Sequence, residues 1–314
     1  MKTTSTGIRT LARLAVSLAA AVASTAFAVE VNFKAVAPGV YAHIGDLEGR
    51  TYENEALNAN IGLVDTPAGA VLIDPGATYL SAQQIEAAAR KVTAQPIRWV
   101  INTGGQDHRW LGNSYFVKRG AEVIAHANAQ ADMKNRGAEQ LNALKPVLKE
   151  KLEGTQVQLP TRWVSGDSNA LDFGGVAIHI KHRTGGHTPG DSMVWLPQQS
   201  VVFTGDVVYV DRVLGLHPVS NTKNWLASFE LLESLKPKVV VPGHGGVSTL
   251  EKAQKETRDL LLALRQHMGK AVENGTDLAT AVKSFDRQPF LGLKHADVWL
   301  PQLANHTYLE MERE

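Results

Sequence analysis

Four short stretches carry side chains able to bind a metal or move a proton. Residues 102–113 read Asn-Thr-Gly-Gly-Gln-Asp-His-Arg-Trp-Leu-Gly-Asn and set Asp107, His108 and Arg109 just beyond the apolar run Trp99-Val100-Ile101. His187 stands in Thr184-Gly185-Gly186-His187-Thr188-Pro189-Gly190-Asp191, a segment too rich in Gly and Pro for strand or helix. Asp206 ends Val202-Phe203-Thr204-Gly205-Asp206, and His244 follows Val239-Val240-Val241-Pro242-Gly243. The 102–113, Asp206 and His244 stretches each turn an apolar run into a loop, where chemistry is usually mounted. Taken singly they are ordinary, since an isolated histidine in a turn more often bonds backbone than a ligand. The chain has no cysteine, so any metal must be held mainly by imidazole and carboxylate, a donor set that suits zinc or iron.

Their order gives them meaning. A strand ending in Asn-Thr with Gly-Asn some residues on, then a G-H-T-x-G turn, a strand-terminal G-D and a P-G-H-G loop, resembles the metallo-β-lactamase-fold hydrolases. Asn60-Ile61-Gly62-Leu63-Val64 and Leu72-Ile73-Asp74-Pro75-Gly76 are similar to that family's early strands, so the resemblance covers most of the chain after residue 28. Asn305-His306-Thr307-Tyr308-Leu309-Glu310 and the amino-terminal segment also resemble the secreted branch grouped with quinoprotein relay hydrolases. The resemblance implies an α/β fold, an αββα sandwich of two mixed β-sheets with helices on the outer faces.

It also implies a ligand set, and here the motif has gaps. The family's H-x-H-x-D-H, aligned without insertion, puts its leading histidines on Gly104 and Gln106, its Asp on His108 and its last His on Arg109. Slipped by one residue, Asp107 and His108 supply the Asp-His pair, so His108 is a candidate ligand in both registers. The family's first metal would keep only His187 and the bridging Asp206, because glycine has no side chain and a glutamine amide oxygen is a poor zinc ligand. The second would keep His108, Asp206 and His244, with Asp107 a further candidate. One zinc per chain is therefore expected rather than two. Three protein ligands and an open position suffice for catalysis, since such a zinc lowers the pKa of its bound water to about 7. The expected reaction is hydrolysis of an ester, lactone, lactam or related bond. His187 or Asp107 would orient or deprotonate the water, and Arg109 would hold an anionic substrate group or the developing oxyanion. The competing expectation is a metal-poor binding or accessory protein that has kept the fold and lost the reaction.

Composition narrows the setting. The chain of 314 residues opens with Lys2, Arg9 and Arg13, an Ala/Leu/Val-rich run over 14–23 and Ala26-Phe27-Ala28. That is the order of a secretory signal, with cleavage expected after Ala28 and a periplasmic or secreted product. The run is shorter than the roughly 20 residues of a bilayer span, so no stable membrane insertion is expected. A formal net charge of +1 provides no field to gather nucleic acid, which leaves a small-molecule substrate as the expected partner. A hydrophobic fraction of 44% is ample for a core, and residues 29–314 are expected to form one domain of two halves with a seam near Gly154.

Holding the four stretches in place requires strands, predicted at 29–36, 40–44, 60–64, 71–73, 97–101, 122–125, 161–164, 176–181, 192–196, 201–204 and 238–241. Helices are predicted over 81–91 with Ser81 as N-cap, over 127–152 divided by Gly137 and Pro146, and over 250–268 from apolar residues three and four apart. Two more are predicted at 276–285 and 301–314. His43, His126, His179, His182, His267, His295 and His306 lie outside the motifs and read as surface or hydrogen-bonded histidines, with His217 singled out as a rim residue. Trp110 either contacts substrate or packs beneath the loop.

Overall fold

A computed structural model describes residues 29–314; the secretory signal expected over 1–28 lies outside the described residues. Strands β1 (Lys34–Ala37), β2 (Val40–His43), β3 (Ile61–Val64), β4 (Ala70–Ile73), β5 (Ile97–Asn102), β6 (Glu122–His126) and β7 (Arg162–Val164) form one sheet in sequence order. Pairing is antiparallel from β1 to β4 and parallel from β4 to β7. A second sheet holds β8 (Ser168–Asp172), β9 (Ala177–Lys181), β10 (Met193–Leu196), β11 (Val201–Phe203) and β12 (Val239–Val241), with only β11 and β12 parallel. Two mixed sheets are present, as expected. The chain crosses from one to the other between Val164 and Ser168, whereas Gly154 precedes the last strand of the first sheet.

Apolar faces set the layers. Ile73, Ile101 and Ile124 of the first sheet pack against Ile178, Val194 and Phe203 of the second, all buried, and this is the core between the sheets. The other face of the first sheet is covered by helices α1 (Tyr79–Ala89) and α3 (Asn113–Val117), through Ile85 and Phe116. Helix α2 (Asp107–Trp110) carries the key loop, and α4 (Gln130–Leu148) packs over it through Met133 and Leu144. Helices α5 (Thr222–Leu235), α7 (Asp259–Glu273) and α9 (Ala296–Met311) cover the outer face of the second sheet, with α6 (Leu250–Ala253) and α8 (Leu278–Ser284) beside them. Fully burying each such Leu, Ile or Phe contributes about 1.5–3 kcal/mol.

Several boundaries differ from expectation for local reasons. The N-cap of α1 is Thr78, whose hydroxyl accepts from Ser81 N at 2.9 Å while Ser81 Oγ accepts from Thr78 N at 2.9 Å, so Ser81 closes a capping box from inside the helix. Helix α4 runs through Gly137 and Pro146. A Cβ at Gly137 would lie 2.8 Å from Trp110 Cη2, so this glycine serves close packing rather than a break. Pro146 falls two residues from the helix end, where losing one backbone bond costs least. Strand β8 was not expected because Ser-Asn-Ala-Leu-Asp has no apolar run; it lies at the edge of its sheet, exposed or half-buried throughout.

Candidate metal centre

The four chemistry-bearing stretches meet at the carboxyl ends of β4, β5, β11 and β12. Asp74 follows β4, the 102–113 loop follows β5, Asp206 follows β11 and His244 follows β12. Asn60, at the start of β3, clips the last of these in place: its amide donates to Pro242 O and Gly245 O, each at 2.8 Å. His187 arrives from the turn between β9 and β10, whose far end is tied to the key loop by Ser192 N donating to Thr103 O at 2.7 Å.

Three imidazoles converge on one carboxylate. His108 Nε2 is 3.1 Å and His187 Nε2 3.9 Å from Asp206 Oδ2, and His244 Nε2 is 3.3 Å from Asp206 Oδ1. All four side chains are buried. Among the described residues, His108, Asp206 and His244 offer ligand atoms within 4.8 Å of one another. His244 Nδ1 bonds Asn58 O at 2.6 Å and His187 Nδ1 bonds Gly215 O at 3.1 Å, which turns both Nε2 atoms inward, as outer-shell carbonyls do for metal-binding histidines. Burial pushes His244 down to about 3 and His187 well below the ordinary histidine value, so both rings are neutral, the ligating form. Burial alone would raise Asp206, but the Arg109 charge and then the contact with His108 hold its carboxyl well below the usual range. Neutral imidazoles facing an ionised carboxylate fit one small divalent cation.

Arg109 occupies the heart of the site and does not face substrate space. Its Nη2 donates to Asp206 Oδ1 at 2.6 Å, Nε to Asp206 Oδ2 at 3.1 Å, and Nη1 to Asp74 Oδ2 at 3.0 Å and Asn60 O at 3.3 Å. The expectation that it holds a substrate anion or oxyanion is corrected, because every arm of the guanidinium is already engaged. Asp74 is fixed in turn by Thr103, N to Oδ1 at 2.8 Å and Oγ1 to Oδ2 at 2.7 Å. Gly243 makes room: a Cβ there would lie 2.5 Å from Arg109 Nη2 and 2.4 Å from Gly205 O. Each carboxylate oxygen offers two acceptor positions, so the Arg109 bonds leave capacity on Asp206 for a cation.

Other groups fill the space beside Gly104 and Gln106, where the gapless alignment puts the family motif's two leading histidines. A Cβ at Gly104 would lie 2.8 Å from Asp191 Oδ1, and Asp191 is held by Thr188, whose N donates to Oδ2 at 2.7 Å and whose hydroxyl bonds Oδ1. Gln106 closes on His187 Nε2 through its amide. Since Gly215 O already takes the Nδ1 proton, a neutral His187 satisfies both contacts only when Gln106 turns its amide nitrogen toward Nε2.

Asp107 does not join the metal cluster. It is paired with Arg50, Nε to Oδ2 at 2.7 Å, and Arg50 Nη2 also lies 2.8 Å from His108 Nδ1. Although burial opposes it, the Arg50 charge holds Asp107 well below the carboxylate range, so it is no proton acceptor at neutral pH. Trp110 packs beneath the loop, its Nε1 donating to Gly105 O at 3.0 Å. His126, His267, His295 and His306 bond backbone carbonyls, ordinary roles as expected.

Above the cluster opens a chamber of about 240 Å³ bordered by His108, His187, His244, Arg50, Tyr209 and Arg212. His217 borders it too, its ring 4.9 Å from that of His187. Tyr209 stacks on His244 at 4.8 Å and 21°, and Thr257, in a π-helical turn over Gln254–Arg258, bonds its backbone N at 3.0 Å. Sequence reasoning missed Arg50, Asn58, Asn60, Asp74, Tyr209 and Arg212 as site residues. Asp74 was findable, since it ends an apolar strand just as Asp206 does; the others carry no local signal.

Comparison with known proteins agrees with this geometry. Residues 54–244, more than half of the chain, match the model of the metallo-beta-lactamase superfamily. A linear primary-alkylsulfatase from Pseudomonas sp. (strain ATCC 19151) is 20% identical over 267 residues, 73% of this chain and 50% of that protein. The chain thus spans about half the length of this curated relative. Among solved structures, a metallo-beta-lactamase from Pontibacter korlensis has a TM-score of 0.56 at 21% identity, covering 71% of this chain and 95% of its own. A double mutant of the sec-alkyl sulfatase PisA1 has a TM-score of 0.67 at 16% identity, covering 88% of this chain and 50% of its own. At such identities the structural likeness carries the fold alone.

Proposed function

The chain belongs to the metallo-beta-lactamase superfamily, and from that premise we propose that it is an exported hydrolase that uses a single zinc ion, held by His108, Asp206 and His244, to cleave an ester-type bond in a small molecule. The observation that carries this reading is the convergence of His108, His187 and His244 on the ionised Asp206 at the floor of an open chamber, with His187 and His244 neutral and anchored on backbone carbonyls. Bound there, zinc supplies Lewis acidity toward a water and a substrate oxygen. The chain's own residues do the rest. His187, neutral and 3.9 Å from Asp206 Oδ2, orients the attacking water through Nε2, at the place the Gln106 amide takes in the structure. Arg109 keeps Asp206 ionised and fixed, which makes it a positioning residue. Export is supported by the charged, apolar and small-residue order of residues 1–28. Among the described residues no helix is long and apolar enough to cross a membrane.

One observation favours a second reading, a binding protein without a reaction: Arg109 already supplies Asp206 with a cation. Metal analysis of the full chain as purified and after zinc addition separates the two. One zinc per chain, lost in His244→Ala, supports the hydrolase. No zinc even after addition supports the binding protein instead, and two per chain at full occupancy contradicts the single-site argument.

A further inference from the structure

Arg212 differs from the other arginines of the site. It is 3% exposed, yet among the described residues no carboxylate lies within ion-pair distance of it, and its Nε has no partner. Its Nη1 reaches Glu48 O at 3.4 Å and lies 3.3 Å from His244 Nδ1. The second contact joins two donors, because Nδ1 gives its proton to Asn58 O. The guanidinium is held over the Trp299 ring at 4.5 Å and borders the chamber. Burying a charge with no carboxylate partner costs desolvation that one carbonyl and the Trp299 and Tyr209 rings return only in part. By contrast Arg50 and Arg109 each have a carboxylate.

A second cavity adjoins the first. A groove of about 1000 Å³ runs between α8, α9 and the 216–218 segment, with Leu278, Val282 and Leu309 among its walls. It shares Leu216, His217 and Gln302 with the chamber, so the two adjoin at these residues. Its charged residues are Lys283 and Arg287 against Asp277, whose carboxylate is engaged as the α8 N-cap, accepting from Thr280 N at 3.0 Å. The groove is thus apolar with a net positive rim.

We propose that the substrate is an anionic amphiphile, with its charged head on Arg212 in the chamber and its apolar tail in the groove between α8 and α9. This rests on the reading of the chamber as the reaction site. The anion returns what Arg212 lacks, and the tail removes groove side chains from water. A compact, wholly polar substrate would use neither feature.

Calorimetric binding of butane-, octane- and decanesulfonate to the full chain, below their micellar concentrations, tests it. Sulfonates present the head and tail without a hydrolysable bond. Affinity should rise with tail length by up to about fourfold per methylene, and octyl glucoside, with no anion, should bind at least tenfold more weakly than octanesulfonate. Arg212→Met should lose tenfold or more of the decanesulfonate affinity while melting no lower than the parent, because it removes a buried charge with no carboxylate partner; Arg212→Lys should recover part of the loss. Ala279→Trp, on the groove wall, should erase the gain from lengthening the tail. Equal affinity for all three sulfonates, or parental affinity in a folded Arg212→Met, overturns the proposal. Running the titrations with chelator present keeps them separate from the hydrolase reading, since a metal-free chain that binds the long sulfonate through Arg212 supports the amphiphile site whatever becomes of the zinc.

Discussion

Arg109 grips Asp206 with two parallel hydrogen bonds, Nη2 to Oδ1 at 2.6 Å and Nε to Oδ2 at 3.1 Å, and reaches Asp74 with its remaining arm. A fixed positive charge therefore stands at the position where the gapless alignment puts the family motif's last histidine. Its one charge is shared by two buried carboxylates, Asp206 among the imidazoles and Asp74 on Thr103.

Arg109→Ala should leave both carboxylates without their cation. Removing one partner of a buried pair costs about 3–5 kcal/mol, to be read as a lower urea midpoint. Added zinc should restore much of that loss and stabilise the variant more than the parent, because a divalent ion at His108, Asp206 and His244 takes over part of the charge. A loss below about 1 kcal/mol that zinc does not alter contradicts this account of Arg109.

How far the sequence revealed the site depends on what each residue needs. His108, His187, Asp206 and His244 were legible because their turns, ordinary taken singly, follow one another in an order that resembles a known family's motifs. The two-sheet fold was legible because its buried strands are apolar runs. Arg109 was seen, but its direction was not: whether a guanidinium faces substrate or Asp74 depends on a strand end 35 residues away in sequence. Arg212 and Tyr209 left no trace because they reach His244 only through packing of the segment before α5, with Thr257 holding Tyr209 from 48 residues away. Polar β8 and the uninterrupted α4 were misread where tertiary contact overrides local propensity.

The stacked pair His126 and His182, ring centroids 3.9 Å apart at 21°, should sense acid. Burial, and then the neighbouring ring, push His126 down to about 4; burial also lowers His182. Both stay neutral in the folded chain where the unfolded one gains protons, so their stabilisation is complete above the ordinary histidine value near 6.5 and is lost as pH falls from there toward about 4. Proton NMR of the His126 ring should show a midpoint well below 5. A midpoint near 6.5 in the folded protein rules out the buried neutral stack.

Asp191 should give the opposite slope on the alkaline side. Burial, with Asp206 nearby, pushes its carboxyl up to about 8 against the bonds from Thr188. The folded chain therefore holds a proton that the unfolded chain releases near pH 4, and stability falls as pH rises from there through about 8. Below pH 6.5 the depressed histidines act in the other direction, and because several of them outweigh one carboxyl, stability should peak near pH 6 to 6.5. Asp191→Asn keeps the size and the hydrogen bonds of the neutral acid, so it should flatten the fall between pH 6.5 and 8 without touching the acid limb. Urea midpoints measured from pH 5 to 9 on both chains decide it. An unchanged alkaline fall in Asp191→Asn shows that Asp191 is already ionised at neutral pH.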